Sequence, residues 1–218
     1  MTKKTTFYDK QEERLNIISH ALGFVLSLIA LVLLVRYAAV YGNVWHITSF
    51  AIFGGSLILL YAASTLYHYT QSPKLRLKLN VIDHAAIYVL IAGTYTPFTL
   101  VVLKGWLGWT LFGISWGLAI AGILFKLFFF GRFDKLSTAM YIGMGWVIIF
   151  AIKPLIDSFP LEGLLWLFGG GLSYTVGALI YSMKGLRYNH AIFHVFVLIG
   201  SFCHFMAVFF YVLPSPSF

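Results

Sequence analysis

Three observations predict an all-α integral membrane protein of seven transmembrane helices, with its N-terminus cytoplasmic and its C-terminus external. The mean hydropathy is +0.88, with 60% apolar and only 10% charged residues, far outside the range of a soluble domain. The apolar residues gather into seven runs, each near the ~20 residues that cross a hydrocarbon layer as a helix. The lysines and arginines fall in alternate loops, as the positive-inside bias requires.

The runs span about Leu15 to Val40, Trp45 to Tyr69, Val81 to Leu103, Trp106 to Phe130, Ser137 to Lys153, Leu161 to Met183 and His190 to Leu213. The fifth is the shortest. The linkers between them, such as Thr70 to Asn80 and Pro154 to Pro160, are too brief to hold a soluble domain. Residues 1–218 therefore read as one seven-helix membrane domain that opens with a short cytoplasmic segment over 1–14. The first run is too long for the core of a cleaved signal peptide and is taken as retained.

Twelve basic residues fall on one side: Lys3, Lys4, Lys10, Arg14, Lys74, Arg76, Lys78, Lys126, Arg132, Lys135, Lys184 and Arg187. Arg36, Lys104 and Lys153 fall on the other. This bias sets the orientation, and it accounts for the net charge of +8 without a nucleic-acid partner, because no single basic stripe exists. Cys203 stands alone in an apolar run and reads as a small buried side chain without a disulfide. Gly113-Ile-Ser-Trp-Gly117 has the spacing of a close helix contact inside the bundle.

Alternation of the helices assigns a depth to each polar residue. Glu13, Asn16 and His20 open the first run, Ser64 and His68 close the second, Asp83 and His84 open the third, and His190 and His194 open the seventh. All lie toward the cytoplasmic side. In Ser64-x-x-x-His68 and His190-x-x-x-His194 the four-residue spacing puts each pair on one helix face. Polar groups in lipid are costly, so their convergence marks a site. Three imidazoles, His68, His190 and His194, can bind one ion and leave a fourth position open, which is the pattern of a catalytic zinc site. A hydrogen-bonded clamp between helices is the blander reading. His204, ten residues beyond His194, lies about 15 Å deeper and cannot share that ion.

Glu13-x-x-Asn16-x-x-x-His20, Ser64-x-x-x-His68, Asp83 and His190-x-x-x-His194, with Gly93-Thr-Tyr-Thr-Pro97, together resemble the bacterial hemolysin III branch of the progestin and adipoQ receptor family. The resemblance covers nearly the whole chain. It implies a multi-pass protein of the bacterial plasma membrane with the adiponectin receptor fold, in a superfamily that includes alkaline ceramidases. It also implies that His68, His190 and His194 are zinc ligands and that Ser64 and Asp83 sit around the zinc's water. Glu13, Asn16 and His20 would line the same cavity or brace the bundle.

Two functional expectations follow. In one, the chain is a zinc-dependent amide or ester hydrolase of a membrane lipid, ceramidase-like, with Asp83 accepting a proton from water and Ser64 orienting it or donating to an oxyanion. In the other, it is a non-enzymatic lytic, receptor-like or homeostatic membrane protein whose zinc is structural.

Overall fold

The computed structural model describes residues 7–129 and 131–213; Lys3, Lys4 and Phe130 lie outside them. The described residues are helical apart from short connecting segments, with seven stretches long and apolar enough to cross a membrane. Helices α1 (Lys10–Tyr41), α2 (Val44–Tyr69), α3 (Pro73–Pro97) and α4 (Trp106–Phe129) form the first four. The fifth crossing is composite, made of α5 (Asp134–Gly145), a tight turn at Val147–Ala151 and α6 (Ile152–Ser158). Helices α7 (Leu161–Ser182) and α8 (Asn189–Ala207) complete the set.

Local chemistry explains where the helices start. Asp9 caps α1, its carboxylate accepting from Gln11 N, and Glu12 and Glu13 complement the positive end of the helix dipole. Asn43 and His46 form a reciprocal capping box at the start of α2. Pro73 occupies the first turn of α3, where its missing N–H costs nothing. Residues expected as linkers are thus partly helical: α1 begins at Lys10 inside the expected N-terminal segment, α3 begins eight residues before Val81, and α6 runs on to Ser158. Hydropathy marks the part of a helix in hydrocarbon, and a helix continues into the polar interface wherever a cap or a proline sets it up.

Helix α1 packs on α2 and α8, α2 on α3, α3 on α4, and α7 on α8. Helices α2 and α3 are the most buried, and the outward faces of the others carry exposed leucine, isoleucine, valine and phenylalanine, as a lipid-facing surface requires. Close approach depends on a few glycines. A Cβ on Gly54 would stand 2.7 Å from Leu31 Cδ1, at the α1–α2 contact. Gly113 and Gly117 do not behave as their spacing suggests: nothing lies within 4 Å of a Cβ built on either, so this face of α4 points away from the bundle. Cys203 is half-buried, with a free thiol.

The interruption of the fifth crossing is held by α3. The Tyr95 hydroxyl donates to Gly145 O at 2.8 Å and accepts from Ile148 N at 2.9 Å, replacing helical bonds lost at the break. Just beyond, Pro97 is followed by a wider helical turn over Phe98–Val102, the adjustment expected where proline removes an internal N–H.

Candidate metal centre

His68 ends α2, and His190 and His194 begin α8; all three are buried. One ring nitrogen from each lies within 4.8 Å of the other two. Nε2 of His68 and Nε2 of His190 are 3.1 Å apart. Two nitrogens on a tetrahedral zinc, each bound at about 2.0–2.1 Å, stand roughly 3.4 Å from one another, so the spacing suits a shared ion.

The remaining ring nitrogens have their own partners. His68 Nδ1 donates to Glu13 Oε2 at 2.7 Å, a bond whose direction is fixed because a carboxylate only accepts. His194 Nδ1 is 3.2 Å from Ser19 Oγ. That hydroxyl spends its proton on Asn16 O at 3.1 Å and so accepts from the imidazole. His190 Nδ1 is 2.8 Å from the Tyr8 hydroxyl. Nδ1 of His68 and of His194 each carry a proton outward, which leaves the Nε2 atoms of these two rings bare. Two lone pairs 3.1 Å apart repel unless a cation or a proton lies between them. A proton would serve two nitrogens; the third, from His194, suits an ion. The donor set therefore fits a metal, and its outer hydrogen bonds are of the kind that orient metal-bound histidines.

The first turn of α1 acts as a bracket across this centre. Glu13 gives its second oxygen, Oε1, to the buried Arg76 of α3. Arg76 also donates to the carbonyls of Tyr67, His68 and Thr70 at 3.1 to 3.2 Å, which closes the turn between α2 and α3. Phe7 and Tyr67 cover the guanidinium. Glu12 accepts from His190 N at 3.3 Å and caps α8. That helix has no side-chain cap from its own flanking residue, Tyr188, which sits in a left-handed conformation. Tyr188 in turn donates to Gln11. Burial pushes the Tyr8 phenol well above its ordinary pKa, so it stays protonated against His190.

Of the residues expected around the ion, His20 lies face to face with His194, their ring centroids 3.4 Å apart and their planes at 8°. Neither His20 nitrogen has a hydrogen-bond partner, and neither does Ser64 Oγ or Asn16 Oδ1. His20, Ser64, Asp83, His190 and His194 border one cavity of about 150 Å³ that extends away from the cluster between α3, α5, α7 and α8. Ser64 faces the Asp83 carboxyl without a hydrogen bond of ordinary geometry. Asp83 Oδ2 is 3.8 Å from His84 Nδ1, and His84 also borders the cavity. Glu13 and Asn16 do not reach the cavity; Glu13 braces the histidine shell, and Asn16 Nδ2 is 3.5 Å from His68 Nδ1. Tyr8, Glu12 and Ser19 carry no motif, and Arg76 reads in the sequence as a loop charge, so nothing in the sequence marks them as contributors.

A membrane-spanning bundle built around a buried cluster of imidazoles is therefore the class of protein that fold and site define. Residues 8–205 match the family described as haemolysin-III related, and the chain belongs to that family. It is 49% identical over 217 residues to hemolysin-3 of Bacillus cereus, covering 100% of this chain and 98% of that one. It is 52% identical over 206 residues to the hemolysin-3 homolog of Bacillus subtilis (strain 168), covering 94% and 97%. A weaker likeness, 25% over 212 residues, links it to the monocyte to macrophage differentiation factor of Homo sapiens, over 94% of this chain and 87% of that protein. It is a multi-pass cell-membrane protein.

Proposed function

We propose that the chain is a zinc-dependent hydrolase of a membrane lipid, cleaving an amide, or else an ester, from the cytoplasmic side of the bilayer. The observation that carries this reading is the convergence of three histidines, two of which, His190 and His194, border a cavity that also holds an acid, Asp83, with the Ser64 hydroxyl facing it. His68, His190 and His194 would hold the metal, which when bound supplies Lewis acidity and brings the pKa of a coordinated water toward ~7.

The chain's own groups then divide the work. Asp83 accepts the proton of the attacking water at its carboxylate and returns it to the leaving nitrogen or oxygen as the acyl C–N or C–O bond breaks. Ser64 Oγ, beside the Asp83 carboxyl, donates to the carbonyl oxygen as negative charge develops on it. His20 shields the His194 face from water by stacking on it. The apolar walls contributed by α3, α5 and α7 suit the hydrocarbon of a substrate that enters laterally from the membrane. Zinc is the metal of this reading because an all-imidazole donor set of three residues suits it.

The test is an Asp83→Asn variant assayed for fatty acid release from a fluorescent ceramide and from a matched ester. The expected result is retained metal and fold with at least about a hundredfold loss of turnover, the usual scale of a removed general base. No turnover by the metal-loaded wild-type protein on either substrate would contradict the reading and leave the metal a structural role.

A further inference from the structure

His204 lies in the same cavity as the metal centre but at its opposite end. It is ten residues along α8 from His194, about 15 Å at 1.5 Å per residue. It is only 5% exposed, and its Nδ1 is buried without a hydrogen-bond partner. An imidazole so placed is costly to leave unsatisfied.

The surroundings make a recess for this ring. Gly170 of α7 lies against its edge; a Cβ there would be 2.7 Å from His204 Nε2, so only glycine leaves room. Tyr174, one turn along, stacks on it with centroids 5.3 Å apart at 29°. The Tyr174 hydroxyl is 2.9 Å from Ser201 Oγ, which accepts from Tyr61 at 2.7 Å. Tyr174 and His204 both border the cavity, so its deep end offers an imidazole and a phenol where its walls are otherwise largely apolar.

Building on the lipid-hydrolase reading, we infer that this recess is a second polar subsite, which binds an oxygen function carried partway along the substrate's hydrocarbon chain. The matching ligand class is an amphiphile with its reactive headgroup at the metal and a hydroxyl or keto oxygen about 15 Å away. That oxygen is neutral. No lysine or arginine borders the cavity among the described residues, so a charged terminus would be buried without compensation, whereas a hydroxyl needs only hydrogen bonds. The subsite makes the cavity selective for oxygenated chains over plain ones of equal length.

The test is equilibrium binding of two probes to the purified full chain in detergent: stearic acid, and stearic acid bearing a hydroxyl on its twelfth carbon, which falls near the required depth in an extended chain. The hydroxylated acid is expected to bind roughly tenfold tighter, the scale of one good buried hydrogen bond. His204→Phe, which keeps an aromatic side chain and removes both nitrogens, is expected to abolish that preference. Should that variant fail to fold, Tyr174→Phe removes only a hydroxyl and is expected to reduce the preference. Equal affinity of the wild-type chain for the two acids would overturn the subsite, leaving water as the partner of His204, with the lipid reading intact. Binding of neither acid would overturn both.

Discussion

Glu13 Oε2 accepts from His68 Nδ1 at 2.7 Å while its other oxygen is held by Arg76, so one carboxylate from the first turn of α1 sets the tautomer of a clustered histidine at the end of α2. A neutral Glu13→Gln side chain keeps the shape and weakens the acceptor. Zinc affinity is expected to fall about 10–100-fold, the usual effect of removing a histidine's outer partner. Chelator competition on the purified variant measures it.

Arg76 is the other half of that arrangement. Arg76→Met strips the partner from Glu13 and leaves the carbonyls of Tyr67, His68 and Thr70 without their donor. A loss of about 3–5 kcal/mol is expected, the scale for breaking a buried charge pair from one side. Adding Glu13→Gln should recover part of it, because the uncompensated charge is then gone. Unfolding of the two single variants and the double variant reads the coupling.

Tyr95 joins α3 to the broken fifth crossing through both ends of its hydroxyl. In Tyr95→Phe, Gly145 O and Ile148 N lose that partner inside the bundle. Destabilisation of about 1–3 kcal/mol is expected from an unsatisfied buried group. The loss of thermal stability, compared with that of Tyr37→Phe on α1, gives the measurement.

Gly54 and Gly55 provide a matched pair. Alanine at 54 meets Leu31 Cδ1 at 2.7 Å and its Cα at 3.1 Å, whereas alanine at 55 meets nothing within 4 Å. Gly54→Ala is expected to cost about 1–3 kcal/mol through overpacking, and Gly55→Ala to be neutral or slightly stabilising. A thermal shift in the second equal to that in the first would contradict the close α1–α2 packing at Gly54.

The number of crossings was legible because lipid demands long apolar runs, and the histidine cluster was legible because four-residue spacing puts pairs on one face. What hydropathy hid lies at the helix ends. Arg76 looks like any interfacial cation until the turn between α2 and α3 folds three carbonyls onto it. Tyr8 precedes the first helix and reaches His190 only because α1 and α8 start side by side. The Gly113 and Gly117 spacing misled for a related reason: small residues permit close approach without requiring a neighbour, and α4 presents that face outward. Tyr95 was visible within Gly93-Thr-Tyr-Thr-Pro97, but its task depends on a break in a helix more than forty residues later, which no local pattern announces.

The most direct test of the metal centre is the metal content of the protein purified without added metal, measured by mass spectrometry beside a folded His190→Ala/His194→Ala variant. The arrangement of His68, His190 and His194 predicts about one zinc per wild-type chain and none in the variant. A wild-type chain that is metal-free and cannot be loaded would contradict it, and the 3.1 Å contact between His68 and His190 would then be a shared proton in a polar clamp.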